Sequence, residues 1–451
     1  MAGAGYAVAV KVDANGGGVA VAVDPRPATG TGAGCSLRRP MPRVPGLPRG
    51  ARRDAIVLAV LAFAAALAQR PGVASSDTKI DLHIDPVGFL ADVASVWSPT
   101  GDLGHVHAGQ YAGYLFPMGP FFALGDLAGL APWLTHRLWL GAVLTVAVVG
   151  AARLADALVP RGGSPARLTA GAIFLLNPYV VVFLNRTSIT LLAYALLPWL
   201  LLAVHRGLRH PRGWWWPAAG ALLVAASGGG VNVAVLAWLL LAPLALLIYE
   251  PAIGAVRWSD ARAFALRTAA CLAVASLWWV APVVAHVLYG RDFLPFTEPP
   301  GVIWSTTSAS EVLRLMGYWT SYVGVGYAGD LRPFTSDAGV LLFHPAVLVA
   351  SLLVPALVAL ALATARPWAY APFFLLLLLG GALIAGAGFP DGTPLRRAAL
   401  AVYFRVDAVQ FLRTTYKAAP LIVVAFALLA AAAAPAVWVR ARWAALPLAA
   451  V

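Results

Sequence analysis

The sequence predicts an all-α polytopic membrane protein, and three observations carry that prediction. Hydrophobic residues make up 61% of the chain and charged residues only 11%, against roughly 25% charged in a soluble domain. Mean hydropathy is +0.79. Apolar runs recur along most of the length, and many reach the ~20 residues that cross a hydrocarbon core. The net charge of +13 does not indicate nucleic acid as a partner, because the arginines are spread among short loops and build no basic, aromatic-interleaved face. Cys35 and Cys271 fall in a leading tail and an apolar helix, so neither a structural disulfide nor a zinc spacing is expected.

Taken in order, residues 1–53 are rich in Gly, Ala, Val and Pro without period, and read as a disordered cytoplasmic extension. Arg49, Arg52 and Arg53 then precede the apolar run Ala55–Ala68. That pattern is a signal anchor, retained because further spans follow. Residues 54–451 form one transmembrane domain, with spans expected near 55–73, 136–158, 168–184, 189–204, 214–229, 231–249, 266–288, 346–365, 367–388 and 418–438, and an incomplete one from about 443. With the N-terminus inside, the arginine-bearing short loops all fall on the cytoplasmic side, as the positive-inside rule requires. Three polar segments, 74–135, 289–345 and 389–417, are then left outside. Within the first, Pro86–Trp97 reads as an interfacial helix with Asp85 as a plausible N-cap. Tyr114–Leu130, broken by Pro117, Gly119, Pro120 and Gly125, reads as a surface-lying or re-entrant element.

The chemistry-bearing residues lie in those outer segments. Asp81 and Asp85 project to one side whether the chain there is helical or extended. A carboxylate at the bilayer surface can deprotonate a sugar hydroxyl; capping and pairing with Lys79 is the bland alternative. His83, His105 and His107 share the loop, but His-x-His is too loose a pattern to predict a metal, and His107 is equally suited to a hydroxyl partner. Asn185-Arg186-Thr187-Ser188 matches a glycosylation sequon close to the bilayer. Arg186 stands there against the positive-inside trend, fit either for a phosphate or for a lipid headgroup. Arg396, Arg397, Arg405, Arg413 and Lys417 are a stronger exception to that trend. Arg413 and Lys417, at i,i+4 spacing, are expected on one helical face where they could hold a lipid phosphate. The acidic and aromatic residues of 289–345, Tyr327 and Asp330 among them, suit either a carbohydrate or a folded cap. Gly228–Gly230 reads as a tight turn between helices, with a phosphate cradle as the weaker alternative. No P-loop, dinucleotide fingerprint or Gly-x-Ser-x-Gly is present.

Asp77-Thr78-Lys79-Ile80-Asp81-Leu82, Asp85-Pro86, Tyr114-Leu115-Phe116-Pro117-Met118-Gly119-Pro120-Phe121-Phe122 and Arg137-Leu138-Trp139 resemble motifs of the actinobacterial alpha-(1->3)-arabinofuranosyltransferases of the GT-C class. Asn177-Pro178-Tyr179, Arg186-Thr187-Ser188, Leu197-Pro198-Trp199 and Gly229-Gly230-Val231-Asn232 extend the resemblance over roughly residues 54–420. The resemblance implies a GT-C-like bundle of about ten or eleven transmembrane helices that transfers arabinofuranose from decaprenylphosphoryl arabinose to cell-envelope arabinan, outside the plasma membrane. By that resemblance the first-loop aspartates supply the base, Asp81 first and Asp85 second. Lys79, His107, Arg186, Arg413 and Lys417 become candidates for binding substrate. No metal or other cofactor is expected, and the partners are the lipid-linked donor, the arabinan acceptor and membrane lipid. Family members are longer, so the chain is expected to be shortened at its C-terminus. The rival readings are a flippase for a lipid-linked sugar and an inactive arabinan-binding scaffold; nearly charge-free spans and the lack of an inverted repeat speak against the first.

Overall fold

The computed structural model describes residues 49–445 apart from 76, 78, 100–102, 108, 185, 293, 327–331 and 365–367. The expected extension up to residue 48, Thr78, Asn185 of the sequon, Tyr327, Asp330, Arg366 and any span beyond residue 445 lie outside the described residues.

Helices account for nearly all the regular structure. The first, α1 (Arg49–Leu67), begins within the stretch assigned to the extension. The short α2 (Asp81–Ile84), α3 (Pro86–Val93) and α4 (Met118–Leu127) follow in the first loop, then α5 (Pro132–Leu158), α6 (Gly163–Leu175), α7 (Pro178–Leu184), α8 (Ser188–Leu208), α9 (Trp215–Ala225) and α10 (Val233–Ala252). Next come α11 (Trp258–Ala275), α12 (Leu277–Tyr289), the short α13 (Pro300–Trp304), α14 (Ala309–Leu313) and α15 (Ser336–Phe343), and then α16 (Pro345–Thr364), α17 (Ala371–Gly386), α18 (Pro394–Arg405) and α19 (Ala419–Ala445). Among the described residues the strands are two antiparallel pairs, β1 (Trp97–Ser98) with β2 (His105–Val106) and β3 (Gly324–Val325) with β4 (Arg332–Pro333).

Each of the ten complete spans expected from sequence coincides with a helix or a bent helix pair. Five described helices, α5, α8, α10, α16 and α19, are long and apolar enough to cross a membrane, and seven spans result if α6 with α7 and α11 with α12 each count as one. The rest map to α9 and α17, which are shorter, and to α1, whose first two turns carry Arg49, Arg52, Arg53 and Asp54. α19 runs unbroken past position 443 to Ala445, the last described residue.

The bend of 46° between α6 and α7 is written in Asn177-Pro178. Pro178 has no N–H to continue the ladder. Asn177 replaces the missing bonds, its Nδ2 donating to Ile173 O at 2.8 Å and its Oδ1 accepting from Val180 N at 3.1 Å. Small residues let the central helices approach closely: Gly141 faces the Phe63 ring and Gly171 faces Leu58, so a Cβ at either would collide with α1. α19 is apolar all round and buried from Leu421 to Ala431, which makes it an interior helix. α16 packs mainly on α19 and leaves Val349, Leu353 and Leu360 exposed, as suits a lipid-facing helix.

The three polar segments gather at one end of this bundle. At the other end Glu250, fully buried, accepts from Arg209 and from the Tyr370 hydroxyl at 3.2 Å, with His205 Nδ1 2.7 Å away. That cluster fastens α8, α10 and the start of α17 together. Sequence reading had not singled out Glu250; a lone acid inside the apolar run 233–252 was its signal.

Candidate active site

The first loop is pinned by its first aspartate. Asp77 sits at φ +39 and is buried. Its Oδ1 accepts from Ser188 N at 2.6 Å, and its Oδ2 accepts from the Ser188 hydroxyl, which in turn accepts from Trp139 Nε1 at 2.8 Å. His136 Nε2 is 3.4 Å from the same carboxylate. Arg137 secures the chain just upstream, donating to Val73 O at 2.7 Å and to Gln69. Four of the motif residues that carry the resemblance thus act as fasteners between the loop, α5 and α8.

That anchoring fixes α2. Leu82 and His83 point inward, His83 with its ring edge-on to Phe122 at 4.8 Å and to His136 at 5.2 Å. Burial, with the nearby His136, pushes the His83 pKa down to about 4, and the imidazole is neutral at neutral pH. Asp81, on the other side of the same turn, is exposed, and its carboxylate has no hydrogen bond or ion pair among the described residues. Asp85 is exposed too, but it caps α3 as the sequence indicated, accepting from Gly88 N at 2.8 Å. A side chain at position 88 would strike that carboxylate, so the cap requires glycine.

Lys79 and His107 come together around one ring. Lys79 Nζ stands 3.9 Å above Tyr111, and the His107 ring lies 5.2 Å from it. His107 is buried, with Nε2 3.4 Å from Asp92 Oδ2. Tyr111 in turn lines a cleft of about 680 Å³ that is bounded by β1, β2 and the chain around the end of α12. The 3₁₀ turn carrying it, Gly109–Leu115, lies on α12 and on the glycine turn: Gly109 faces Val283, and Gly113 faces the backbone at Gly230 and Val231. The tight-turn reading of Gly228–Gly230 therefore holds, and the phosphate-cradle alternative fails because backbone fills that space.

Arg186, Arg413 and Lys417 form the second group. Arg186 donates to Thr320 Oγ1 at 2.8 Å and to Asp337 Oδ1 at 2.7 Å, its guanidinium 5.5 Å from the Tyr318 ring. Tyr318 packs on Tyr416 at 5.1 Å, and Lys417 Nζ is 5.6 Å from Tyr416. Arg413 donates to Glu298 O at 3.1 Å and to the Thr297 hydroxyl. The expectation that Arg413 and Lys417 share one helical face is corrected. Arg413 ends one 3₁₀ turn, Asp407–Arg413, and Lys417 lies in the next, Thr415–Ala418. The Arg413 carbonyl, which an α-helix would offer to Lys417 N, accepts instead from Trp304 Nε1 at 2.9 Å. Lys417 is the member left with free donors, being partly exposed with no hydrogen bond or ion pair among the described residues.

The two groups meet at one segment: Phe296 lines the cleft, while the adjoining Thr297 and Glu298 hold Arg413. Asp81 and Asp85 line neither that cleft nor a second cavity of about 480 Å³. In the second cavity Arg314 is engaged by Glu311, Ser351 and Leu341 O, and Tyr322 donates to Glu311, while the buried Ser321 hydroxyl has no partner among the described residues. Among the described residues no cluster of three His, Cys, Asp or Glu could hold a metal ion.

The family described as alpha-(1->3)-arabinofuranosyltransferase, N-terminal GT-C domain, matches residues 61–449. The alpha-(1->3)-arabinofuranosyltransferase of Mycolicibacterium smegmatis is 36% identical over 278 residues, covering 61% of this chain and 19% of that protein. Its namesake in Mycobacterium tuberculosis is 33% identical over 288 residues, covering 63% and 20% respectively. The cryo-EM structure of arabinofuranosyltransferase AftD from mycobacteria superposes with a TM-score of 0.62 at 27% identity, over 85% of this chain and 24% of that one. This chain spans about a fifth of the length of the curated relatives it matches. By its matched length and its helical architecture, it belongs to the family of N-terminal GT-C domains of alpha-(1->3)-arabinofuranosyltransferases.

Proposed function

We propose that this chain is the membrane core of a transferase that moves arabinofuranose from decaprenylphosphoryl arabinose to cell-envelope arabinan, making an alpha-(1->3) branch at the extracytoplasmic face of the plasma membrane. Family membership supports the reaction class. The observation that carries the assignment of the base is the contrast among the three acids of the Asp77–Asp85 motif: Asp77 is buried and bonded, Asp85 caps a helix, and Asp81 is exposed and unbonded.

In this reading the acceptor oxygen bonds to the anomeric carbon as the bond from that carbon to the donor phosphate oxygen breaks. Asp81 takes the acceptor's hydroxyl proton, with the spare oxygen of Asp85 as a second acceptor. Lys417, whose amine has free donors, meets the departing lipid phosphate, and Arg413 raises the positive potential around it, while Arg186, paired with Asp337, orders the neighbouring segment. Lys79 and His107 brace Tyr111 at the substrate cleft. Replacement of Asp81 by Asn, with transfer from the lipid-linked donor measured in bilayers, tests the proposal. Loss of transfer supports it, and unchanged transfer rejects Asp81 as base.

A further inference from the structure

We infer that the cleft between the β1–β2 hairpin and the end of α12 is a saccharide subsite, which holds several furanose units of the acceptor and not the lipid phosphate; this rests on the transfer reading above. Its volume, about 680 Å³, falls in the ~300–1,000 Å³ range of sites that enclose drug-sized ligands. That is room for an oligosaccharide, and far more than a single phosphate needs.

The walls match a sugar better than they match an anion or a prenyl chain. Trp97, Tyr289 and Phe296 line the cleft with 54%, 78% and 74% of their surface exposed. Rings of that size are costly to leave in water unless something covers them. They are not offered to the bilayer alone, because Arg291, Asp292 and His105 line the same cleft. A prenyl chain would leave those polar groups without water or partners. A lipid phosphate would meet a carboxylate beside the guanidinium, whereas Lys417 and Arg413 offer concentrated positive charge elsewhere. A neutral polyhydroxylated ligand satisfies both halves, its C–H faces against rings and its hydroxyls on the acid, the imidazole and the guanidinium.

The rings are also held in place. Trp97 pairs with Val106 in the hairpin, and its indole lies over Gly104, a residue at φ +94 where any Cβ would strike the ring. Tyr111 is clasped by Lys79 at 3.9 Å, His107 at 5.2 Å and Phe89 at 6.2 Å. Arg291 lies 5.4 Å from the Phe296 ring. An arrangement fixed before binding loses little entropy on binding. The cleft also has a direction, since Phe296 continues directly into the Thr297–Glu298 segment that holds Arg413. A chain of sugars lying in it leads toward the cations assigned to the donor.

The test is a titration of the full chain in nanodiscs with a linear α-linked arabinofuranosyl hexasaccharide, followed by tryptophan fluorescence and saturation-transfer NMR, with maltohexaose as the comparison sugar. The wild type is expected to bind the arabinofuranoside in preference. Loss of one stacking ring, in Trp97→Ala or in Phe296→Ala, should weaken binding about ten-fold; Phe296 is so exposed that its removal leaves folding intact. In a transfer assay the same variants should raise acceptor KM and leave donor KM unchanged. Binding that is absent in the wild type, or undiminished in both variants, overturns the inference. Asp81→Asn separates the two readings: it should bind the hexasaccharide normally while failing to transfer. A wild type that binds the sugar yet transfers nothing refutes the enzyme reading and leaves the subsite standing.

Discussion

Asp77 accepts two hydrogen bonds from Ser188, one from its backbone N–H at 2.6 Å and one from its hydroxyl, across 111 residues of chain. This pair clamps the first loop to the start of α8 and so sets where Asp81 is displayed. Asp77 is thereby spent on structure, whereas Asp81, four residues on, is exposed and unbonded.

Replacing Asp77 by Ala strands two buried donors on Ser188, and hydrogen bonds to a charged acceptor are worth about 1.5–3 kcal/mol each. The variant should melt well below wild type in a thermal scan in detergent. Asp81→Ala, which removes no bond, should melt with wild type.

His83 gives the loop a sign-defined response to acid. Its pKa is lowered from the model-compound 6.5 to about 4 by burial, so between those values the unfolded chain binds more protons than the folded one. Stability contributed by neutral His83 is fully present above pH 6.5 and is lost as pH falls toward 4. Melting temperature measured across that window should decline for wild type and decline less for His83→Phe.

Arg413 and Lys417 should separate by assay. Lys417→Ala breaks no hydrogen bond, so it should leave the melting temperature unchanged and raise KM for the lipid donor. Arg413→Ala frees the Glu298 carbonyl and the Thr297 hydroxyl, so it should lower both stability and transfer.

Glu250→Ala would leave Arg209 facing His205 with no buried carboxylate between them and should lower the melting temperature, with a loss of stability below the ~3–5 kcal/mol of a fully buried broken pair because the Arg209 side chain is 36% exposed and can hydrate. The cluster lies at the end of the bundle away from the polar segments. The protein that remains folded should therefore keep its acceptor and donor KM values.

Composition and hydropathy were enough to place a helix or bent helix pair at each of the ten expected positions, five to seven of them long and apolar enough to cross a membrane, because apolar length is a direct physical requirement of the bilayer. The Asp85 cap and the glycine turn at 228–230 were equally legible, being local. What the chain did not reveal were contacts between distant segments. No spacing could show that Asp77 meets Ser188, that Trp304 takes the Arg413 carbonyl and breaks the expected helix, or that Arg186 is spent on Thr320 and Asp337. The aromatic cleft was missed for the same reason: Trp97, Tyr289 and Phe296 come from separate segments that only the fold assembles.

The central claim is that Asp81 is the base and Asp77 its scaffold. The most direct measurement is single-turnover transfer from decaprenylphosphoryl arabinose to an arabinan oligosaccharide by wild type and Asp81→Asn, both in nanodiscs and both checked for equal melting temperature. The account predicts a fall of about 10²–10⁴-fold, the usual contribution of a general base, with donor binding unchanged. Transfer at the wild-type rate by a properly folded Asp81→Asn protein would contradict it.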